Sequence, residues 1–130
     1  MFSNHVTAGV RTLLRLEATI VMALAFLCYA HFDFSLSTFF IFFLAPDIAL
    51  LAYLIGTNAG AFAYNATHSY IAPLMLLAFH IVQPTPVLFQ FALIWLAHIG
   101  FDRALGYGLK YKTAFRHTHL GLIGKIKKDI

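Results

Sequence analysis

The amino-acid sequence predicts an all-α polytopic membrane protein, a compact four-transmembrane-helix bundle with both termini in the cytoplasm. Hydrophobic residues make up 61% of the chain and charged residues only 11%, whereas a typical soluble domain is about 45 to 50% apolar and about 25% charged. Turn-forming and polar residues divide the chain into apolar runs of about the length that crosses a bilayer. A chain of 130 residues has room for one unit, residues 1–130, and no second domain.

The positions of these breaks define the spans. They cover residues 12–30, 36–55, 60–82 and 87–107, and the basic tail 108–130 follows the last one. The first span ends near Asp33, the second at Gly56, and the third at Gln83-Pro84-Thr85-Pro86. Each connection is only a few residues long, so we expect consecutive spans to run antiparallel.

Basic residues gather at the two ends of the chain. Arg11 and Arg15 precede the first span, and the basic residues after the last span are Lys110, Lys112, Arg116, Lys125, Lys127 and Lys128. The loops near Asp33 and Gln83 contain no Lys or Arg, so the positive-inside rule places both termini in the cytoplasm. This pattern predicts contact with membrane lipid and not with nucleic acid, because no nucleic-acid-binding module accompanies the charge.

Ionisable side chains also fall inside the predicted spans, where they are costly. Asp47, His68, His98, Asp102 and Arg103 all lie there, and an Asp or Arg near the centre of a membrane helix costs about 2.5 to 3.5 kcal/mol. Such residues usually face the interior of a bundle and mark a site. Asp47 and His68 both lie about 12 Å below the cytoplasmic surface, at a rise of about 1.5 Å per residue, so we expect them to be level.

The fourth span contributes two members of the same layer. His98 and Asp102 are four residues apart and therefore share a helix face, at depths of about 14 Å and about 8 Å. Pro46 and Pro73 each remove a backbone donor and free a carbonyl group in the neighbouring spans. Freed backbone groups in lipid need protein or a water-filled cavity to satisfy them. The sequence therefore predicts that Asp47, His68, His98 and Asp102 converge in one polar pocket.

Further residues are candidates for ligand or cofactor contacts around this pocket: Tyr64, Asn65, Arg103, His119 and Glu17. Tyr64 and Asn65 lie on the same side of their span as His68. Arg103 either extends to the surface and binds lipid phosphate or clamps an anionic substrate group. The tail, with His117 and His119, is predicted either to fold over the pocket as a lid or to remain solvated. Glu17 either joins the pocket or is a surface carboxylate.

Two His and two Asp side chains suit one divalent zinc, iron or manganese ion. Two carboxylates would neutralise a dication, and an open coordination position would make the ion catalytic. The alternative is a metal-free hydrogen-bond network, in which Asp47 pairs with His68, and Asp102 pairs with His98 or Arg103. The spacing of these residues alone leaves both possibilities open.

Several stretches resemble a known family. They are residues 93–111, Leu44-Ala45-Pro46-Asp47 and Thr118-His119-Leu120-Gly121. Together they resemble an uncharacterised family of small bacterial four-span integral membrane proteins, a domain of unknown function, over about residues 11–124. The resemblance implies a multi-pass protein of the bacterial cytoplasmic (inner) membrane and implies no particular activity.

A more distant similarity carries a functional expectation. Pro46-Asp47, Thr67-His68-Ser69, and His98 to Asp102 followed by Gly106 are similar to the pattern of membrane-bound metal-dependent hydrolases. That pattern has a second acid where this chain has Ala49, and a His-Arg-Gly where it has Ala63-Tyr64-Asn65. The resemblance therefore implies a site for a single ion and not for a pair.

We consider three functions. The first is a metal-dependent hydrolase acting on a lipid or other amphiphile, with Asp47, His68, His98 and Asp102 as its metal-binding and catalytic residues. The second is proton or small-cation transport by a homo-oligomer, with close helix contacts near Gly56. The third is a structural or ligand-binding membrane module without catalysis, in which the polar cluster only fixes helix register.

Overall fold

The computed structural model describes residues 8–107, 117–118 and 121–122, and this part of the chain is almost entirely helical. The helices, in chain order, are α1 Ala8–His31, α2 Leu36–Phe42, a 3₁₀ helix Ala45–Leu54, α3 Thr57–His68, α4 Ile71–Val82 and α5 Pro86–Ala104. In the tail, the two-residue strands β1 His117–Thr118 and β2 Gly121–Leu122 pair antiparallel. The helical fold class is confirmed, and the strand pair is an element that the sequence did not indicate.

Among the described residues, three segments are long and apolar enough to cross a membrane: Gly9–His31, Leu36–Leu54 and Pro86–Ala104. Large apolar side chains cover the outer face of α1, where Leu13, Leu16, Ile20, Leu24 and Leu27 are all more than half exposed. Their spacing of three or four residues makes one continuous stripe. A stripe of this size is unfavourable in water and suits contact with acyl chains, so the chain has the features of a membrane protein.

The predicted span 60–82 is wrong as a single helix. α3 ends at His68, Ser69 is extended with φ −89° and ψ 148°, and α4 begins at Ile71. Pro73 explains the break, because its ring would clash with the carbonyl of Ser69 in a continuous helix and it has no N–H to donate. α3 and α4 have 12 residues each and are about 18 Å long, so neither alone crosses a hydrocarbon core of about 30 Å.

The predicted span 36–55 also changes its backbone geometry within its length. α2 ends at Phe42, and after Leu44 the chain continues as the 3₁₀ helix, with Pro46 in its first turn. This confirms the interruption predicted at Pro46. A 3₁₀ helix has three residues per turn, so Asp47, Leu50 and Tyr53 lie in one line along it. The 3₁₀ helix packs against α3, and the Tyr53 ring covers Gly60 so closely that a Cβ at Gly60 would overlap it.

α5 is the central helix of the described residues. It packs against α1 and α4, and its buried residues are Ala92, Leu93, Ile94, Leu96, Ala97, His98, Ile99 and Gly100. α1 approaches α5 most closely at Gly100, where an added Cβ would lie 2.7 Å from the Ala18 carbonyl oxygen and 2.8 Å from the Met22 nitrogen. Gly100 therefore allows close packing between two helices of the same chain, α1 and α5.

The C-terminus of α5 is fixed by its capping residues. The Tyr107 N–H donates to the Asp102 carbonyl at 2.8 Å, and the Gly106 N–H donates to the Arg103 carbonyl at 3.0 Å. This is the Schellman arrangement, in which the residue after the cap is left-handed, and Gly106 has φ +99°. The helix therefore ends at Ala104, before the boundary of 107 predicted from the sequence, and Asp102 and Arg103 lie in its last turn.

Candidate metal centre

Three separate elements bring the predicted cluster together. Asp47 comes from the first turn of the 3₁₀ helix, His68 is the last residue of α3, and His98 and Asp102 lie one turn apart on α5. One ligand atom from each of the four residues lies within 4.8 Å of the other three. The sequence prediction that these residues converge is confirmed. The 3₁₀ helix packs against α3, and this contact brings Asp47 to His68.

Five of the six separations within the cluster are short, and the sixth, between the Asp47 and Asp102 oxygens, is no more than 4.8 Å. His68 Nε2 lies 3.0 Å from Asp47 Oδ1 and 3.3 Å from Asp102 Oδ2. His98 Nε2 lies 3.2 Å and 3.1 Å from the same two oxygens, and the two Nε2 atoms are 3.1 Å apart. The side chains are 3% exposed for His68, 1% for His98, 13% for Asp102 and 35% for Asp47. The cluster is therefore closed on the histidine side and open beside Asp47.

His68 is oriented by its own helix. Its Nδ1 lies 2.9 Å from the carbonyl oxygen of Tyr64, and because a carbonyl only accepts, this contact places the ring proton on Nδ1. The Tyr64 ring stacks on the imidazole with centroids 3.8 Å apart and planes 5° apart. Thr67 Oγ1 lies 2.9 Å from the same Nδ1. In this tautomer, the Nε2 lone pair of His68 points to the centre of the cluster.

His98 is held by packing. The Phe43 ring meets its imidazole edge-on at a centroid separation of 5.3 Å. Its Nδ1 is buried and has no hydrogen-bond partner among the described residues. Phe43 follows the last residue of α2, at the point where the predicted second span changes to 3₁₀ geometry. The residue at the interruption of that span, Phe43, therefore packs against the His98 ring.

The break between α3 and α4 ties the site to α5. In a continuous helix, the carbonyls of Thr67 and His68 would accept bonds from residues 71 and 72. Instead, the Trp95 indole N–H donates to the Thr67 carbonyl, and Arg103 Nη2 donates to the His68 carbonyl at 3.2 Å. The Ile71 N–H is taken up by Ser69 Oγ at 3.2 Å. Side chains thus satisfy the backbone groups that the break releases.

The other predicted site residues are placed differently. Tyr64 and Arg103 both contact His68, whereas Asn65 lines a surface groove with residues such as Phe62 and Ser69 and is not part of the metal-binding group. Glu17 is exposed on α1 and also lies outside that group. His119 and the His117 side chain lie outside the described residues, so the predicted lid is not described.

Sequence reasoning did not assign roles to two supporting residues. Tyr70 lies under the Arg103 guanidinium, with Cζ 4.4 Å from the ring centroid. The Thr67 hydroxyl lies 3.1 Å from two carbonyl oxygens of its own helix, those of Ala63 and Tyr64, and 3.3 Å from the Pro46 carbonyl oxygen of the 3₁₀ helix. Thr67 had a signal, its place beside His68 in the Thr67-His68-Ser69 triplet. Tyr70 had none, because its role arises only when the chain turns after Ser69.

A divalent ion fits this donor set. Ligands about 2.0 to 2.1 Å from a tetrahedral zinc ion are about 3.3 to 3.4 Å from one another, and the observed separations of 3.0 to 3.3 Å come close to this. Without an ion, protonation of Nε2 on both His68 and His98 would point two N–H donors at each other across 3.1 Å, which is repulsive. If only one of the two Nε2 atoms is protonated, the lone pair of the other Nε2 faces the oxygens of Asp47 and Asp102, and these are acceptors that repel each other. A central cation satisfies all of these contacts at once.

The comparisons with known proteins identify a family. No curated protein and no solved structure matches the chain. The family model described as "Domain of unknown function (DUF4260)" matches residues 11–123. This stretch contains all four residues of the cluster and both tail strands. This agrees with the resemblance expected from residues 11–124. The chain therefore belongs to the family described as Domain of unknown function (DUF4260).

Proposed function

We propose that the protein is an integral membrane metalloenzyme that binds one zinc-like divalent ion through Asp47, His68, His98 and Asp102. The observation that carries this proposal is the set of five donor separations of 3.0 to 3.3 Å among these residues. Two carboxylates and two neutral imidazoles neutralise a dication. Iron and manganese accept the same donors, and the five short separations favour a small ion such as zinc.

The proposed reaction is hydrolysis of a lipid or other amphiphile. A bound ion of this kind polarises a phosphoryl or acyl oxygen and activates a water molecule as the nucleophile. His68 and His98 are buried and Asp102 is mostly covered, so these three donors would keep the ion in place. Asp47 is the most exposed of the four donors. Its release from the ion would open a coordination position for water on the side where a substrate would enter, and its freed carboxylate would then take a proton from that water.

The proposed location is the bacterial cytoplasmic membrane, with four crossings and both termini in the cytoplasm. The placement of Arg11 and Arg15 before α1 and of the basic tail after α5 supports this orientation. In this topology α3 and α4 together make the third crossing. Cysteines introduced at Asp33 and at Gln83 should react with an impermeant thiol reagent added outside intact cells, in a Cys28→Ala background. Labelling that requires permeabilised cells would reverse the orientation.

The decisive experiment is metal analysis of the detergent-purified protein. We expect about one zinc ion per chain in the unmutated protein and loss of that ion in His98→Ala and Asp102→Asn, because each substitution removes a donor. His80→Ala is the matched control, because His80 accepts a hydrogen bond from the Thr85 N–H at the far end of α4. Absence of bound metal from the unmutated protein would overturn the proposal.

Hydrolysis is tested separately from metal binding. Zinc-loaded protein in mixed micelles should release product from short-chain phospho- and carboxylic-ester lipids, and Asp47→Asn should abolish turnover. If zinc binds at one ion per chain and no such lipid is hydrolysed, the ion is structural and the catalytic part of the proposal fails. Lower thermal stability of the metal-free variants would then identify the module as a structural one.

Transport is a second candidate, favoured by one observation. The donors lie where two of the predicted spans are interrupted, and transporters commonly build their ion sites from discontinuous helices. A chain of this size would need to form a homo-oligomer to enclose a pathway. Proton or cation flux into proteoliposomes should then fall in Asp47→Asn, and flux that is unchanged by this substitution would exclude transport through the site.

A further inference from the structure

Arg103 is a cation without an acidic partner in the described part of the chain. All ion pairs found there join a histidine of the cluster to Asp47 or Asp102, so no carboxylate of the described residues lies within 4 Å of the guanidinium. Its Nη2 donates to the His68 carbonyl, and its Cζ lies over the Tyr70 ring. Its Nε is buried and has no hydrogen-bond partner among these residues.

The position of Arg103 connects it to the metal centre at two points. It follows Asp102 directly in the last turn of α5, and it contacts the backbone of His68. One of the two sequence interpretations had the guanidinium extend to the membrane surface. The structure instead places it against His68 and Tyr70. The buried Tyr70 hydroxyl also has no partner among the described residues. Arg103, beside the cluster, and Tyr70, whose ring lies under the guanidinium, thus each carry an unfilled donor among these residues.

The charge of the loaded site points to the kind of ligand. One dication balanced by Asp47 and Asp102, with two neutral imidazoles, carries no net charge, and Arg103 then adds one positive charge. A partly buried guanidinium favours a counter-charge. Asp47 and Asp102 are committed to the ion, and Glu17, whose charge reaches Tyr70, is exposed and makes no ion pair with Arg103 within 4 Å. The planar fork of an arginine matches two oxygens of a phosphate group. Arg103 also lies in the last turn of α5.

We propose that Arg103 and the bound metal ion together hold a singly charged phosphate group, with one phosphate oxygen on the ion and two on the guanidinium. This inference rests on the proposed metal site and narrows its substrate class to phosphate esters. Two sources share this chemistry, a phosphodiester in a lipid headgroup and free inorganic phosphate. The Tyr70 ring keeps the guanidinium plane in place, and Tyr70 is a positioning residue in this arrangement.

The test measures phosphate binding to zinc-loaded protein in a non-ionic detergent that contains no phosphate. The probes are inorganic phosphate, a short-chain phosphatidylglycerol and hexanoate, and binding is measured by isothermal titration calorimetry. We expect Arg103→Gln to bind the preferred phosphate probe at least about tenfold more weakly. Arg103→Lys should give an intermediate affinity, because a lysine keeps the charge but loses the fork. Metal-free protein should also bind weakly, because its carboxylates then repel the phosphate.

Arg15→Gln is the matched control. Arg15 also lies at this end of the bundle, where its Nε donates to the Ala104 carbonyl at 2.8 Å, and its side chain is exposed. Removing its charge should leave phosphate affinity unchanged. Preference for phosphatidylglycerol would identify the lipid headgroup as the source, and equal or stronger binding of inorganic phosphate would identify the free ion. Tighter binding of hexanoate than of either phosphate probe would overturn the proposal.

Zinc content, measured on every sample, separates this inference from the function on which it rests. If each protein holds one zinc ion and Arg103→Gln binds phosphate as tightly as the unmutated protein, the phosphate site is wrong and the metal site stands. If the unmutated protein holds no zinc, both are wrong. If Arg103→Gln does not fold, the comparison of Arg103→Lys with Arg15→Gln decides, with equal phosphate affinity contradicting the proposal.

Discussion

At the scale of single residues, the cluster depends on what holds each imidazole. His68 is fixed on three sides, by the Tyr64 carbonyl, the Tyr64 ring and the Thr67 hydroxyl. The partners of the second ring nitrogen commonly change metal affinity by about 10- to 100-fold when they are removed. Thr67 is the most informative of these partners, because its side chain also reaches the 3₁₀ helix that carries Asp47.

We predict that Thr67→Val weakens zinc binding by about tenfold. Valine keeps the shape of threonine but loses the hydroxyl group that lies near His68 Nδ1 and the Pro46 carbonyl. A competition titration with a chromophoric chelator measures the affinity. Thr57→Val, at the exposed first position of the same helix, should leave the affinity unchanged. Equal affinities in the two variants would show that the hydroxyl of Thr67 does not support the site.

At the scale of elements, the site residues lie at or near the ends of their helices. α3 stops at His68, the 3₁₀ helix begins two residues before Asp47, and α5 ends two residues after Asp102. The end of α5 is set by the left-handed residue Gly106, which has open space around its Cα. A Cβ there would meet no other described residue, so the cost of substitution that we expect comes from the backbone conformation.

We predict that Gly106→Ala lowers the free energy of unfolding by about 1 to 2 kcal/mol, because a left-handed conformation is strained for any residue with a Cβ. Gly9→Ala is the matched control: Gly9 also has open space around it but lies within helix α1, where alanine is favoured over glycine. Denaturant titration in detergent followed by circular dichroism measures both. A loss in Gly9→Ala as large as that in Gly106→Ala would contradict the role of the left-handed turn.

The elements also explain what sequence reasoning reached and what it missed. Apolar runs and charge placement predict the membrane segments, because transfer into lipid depends mainly on composition. The four cluster residues are predictable because polar side chains are costly in those runs. The break after His68 was missed, although Pro73 had been noted, because neighbouring groups can satisfy a proline-interrupted membrane helix without ending it. The donors that satisfy the carbonyl groups at the break, such as Trp95 and Arg103, belong to α5, which is far away in sequence.

At the scale of the whole molecule, α5 is the element around which the described helices are arranged. It carries two of the four proposed donors and packs against both α1 and α4. Its contact with α1 depends on the absence of a side chain at Gly100, which faces the backbone of Ala18 and Met22. The outer face of α1 is apolar and exposed, so the close contact on its inner face is what joins it to the rest of the bundle.

We predict that Gly100→Ala destabilises the protein by about 1 to 3 kcal/mol, the usual cost of overpacking. The added Cβ would lie within 2.8 Å of backbone atoms, which cannot move aside as a flexible side chain can. Thermal unfolding in detergent should show a lower midpoint, and combining Gly100→Ala with Ala18→Gly should restore little, because the clash involves the backbone of α1. An unchanged midpoint would show that the two helices can separate at no cost.

The distribution of the donors over the chain sets an order in time. Asp47 and His68 leave the ribosome before α5 does, and neither can form the four-donor cluster until His98 and Asp102 have been inserted beside them. An ion that needs all four donors would therefore be taken up last, after the final helix has entered the membrane. Occupancy of the site would then report that biogenesis is complete.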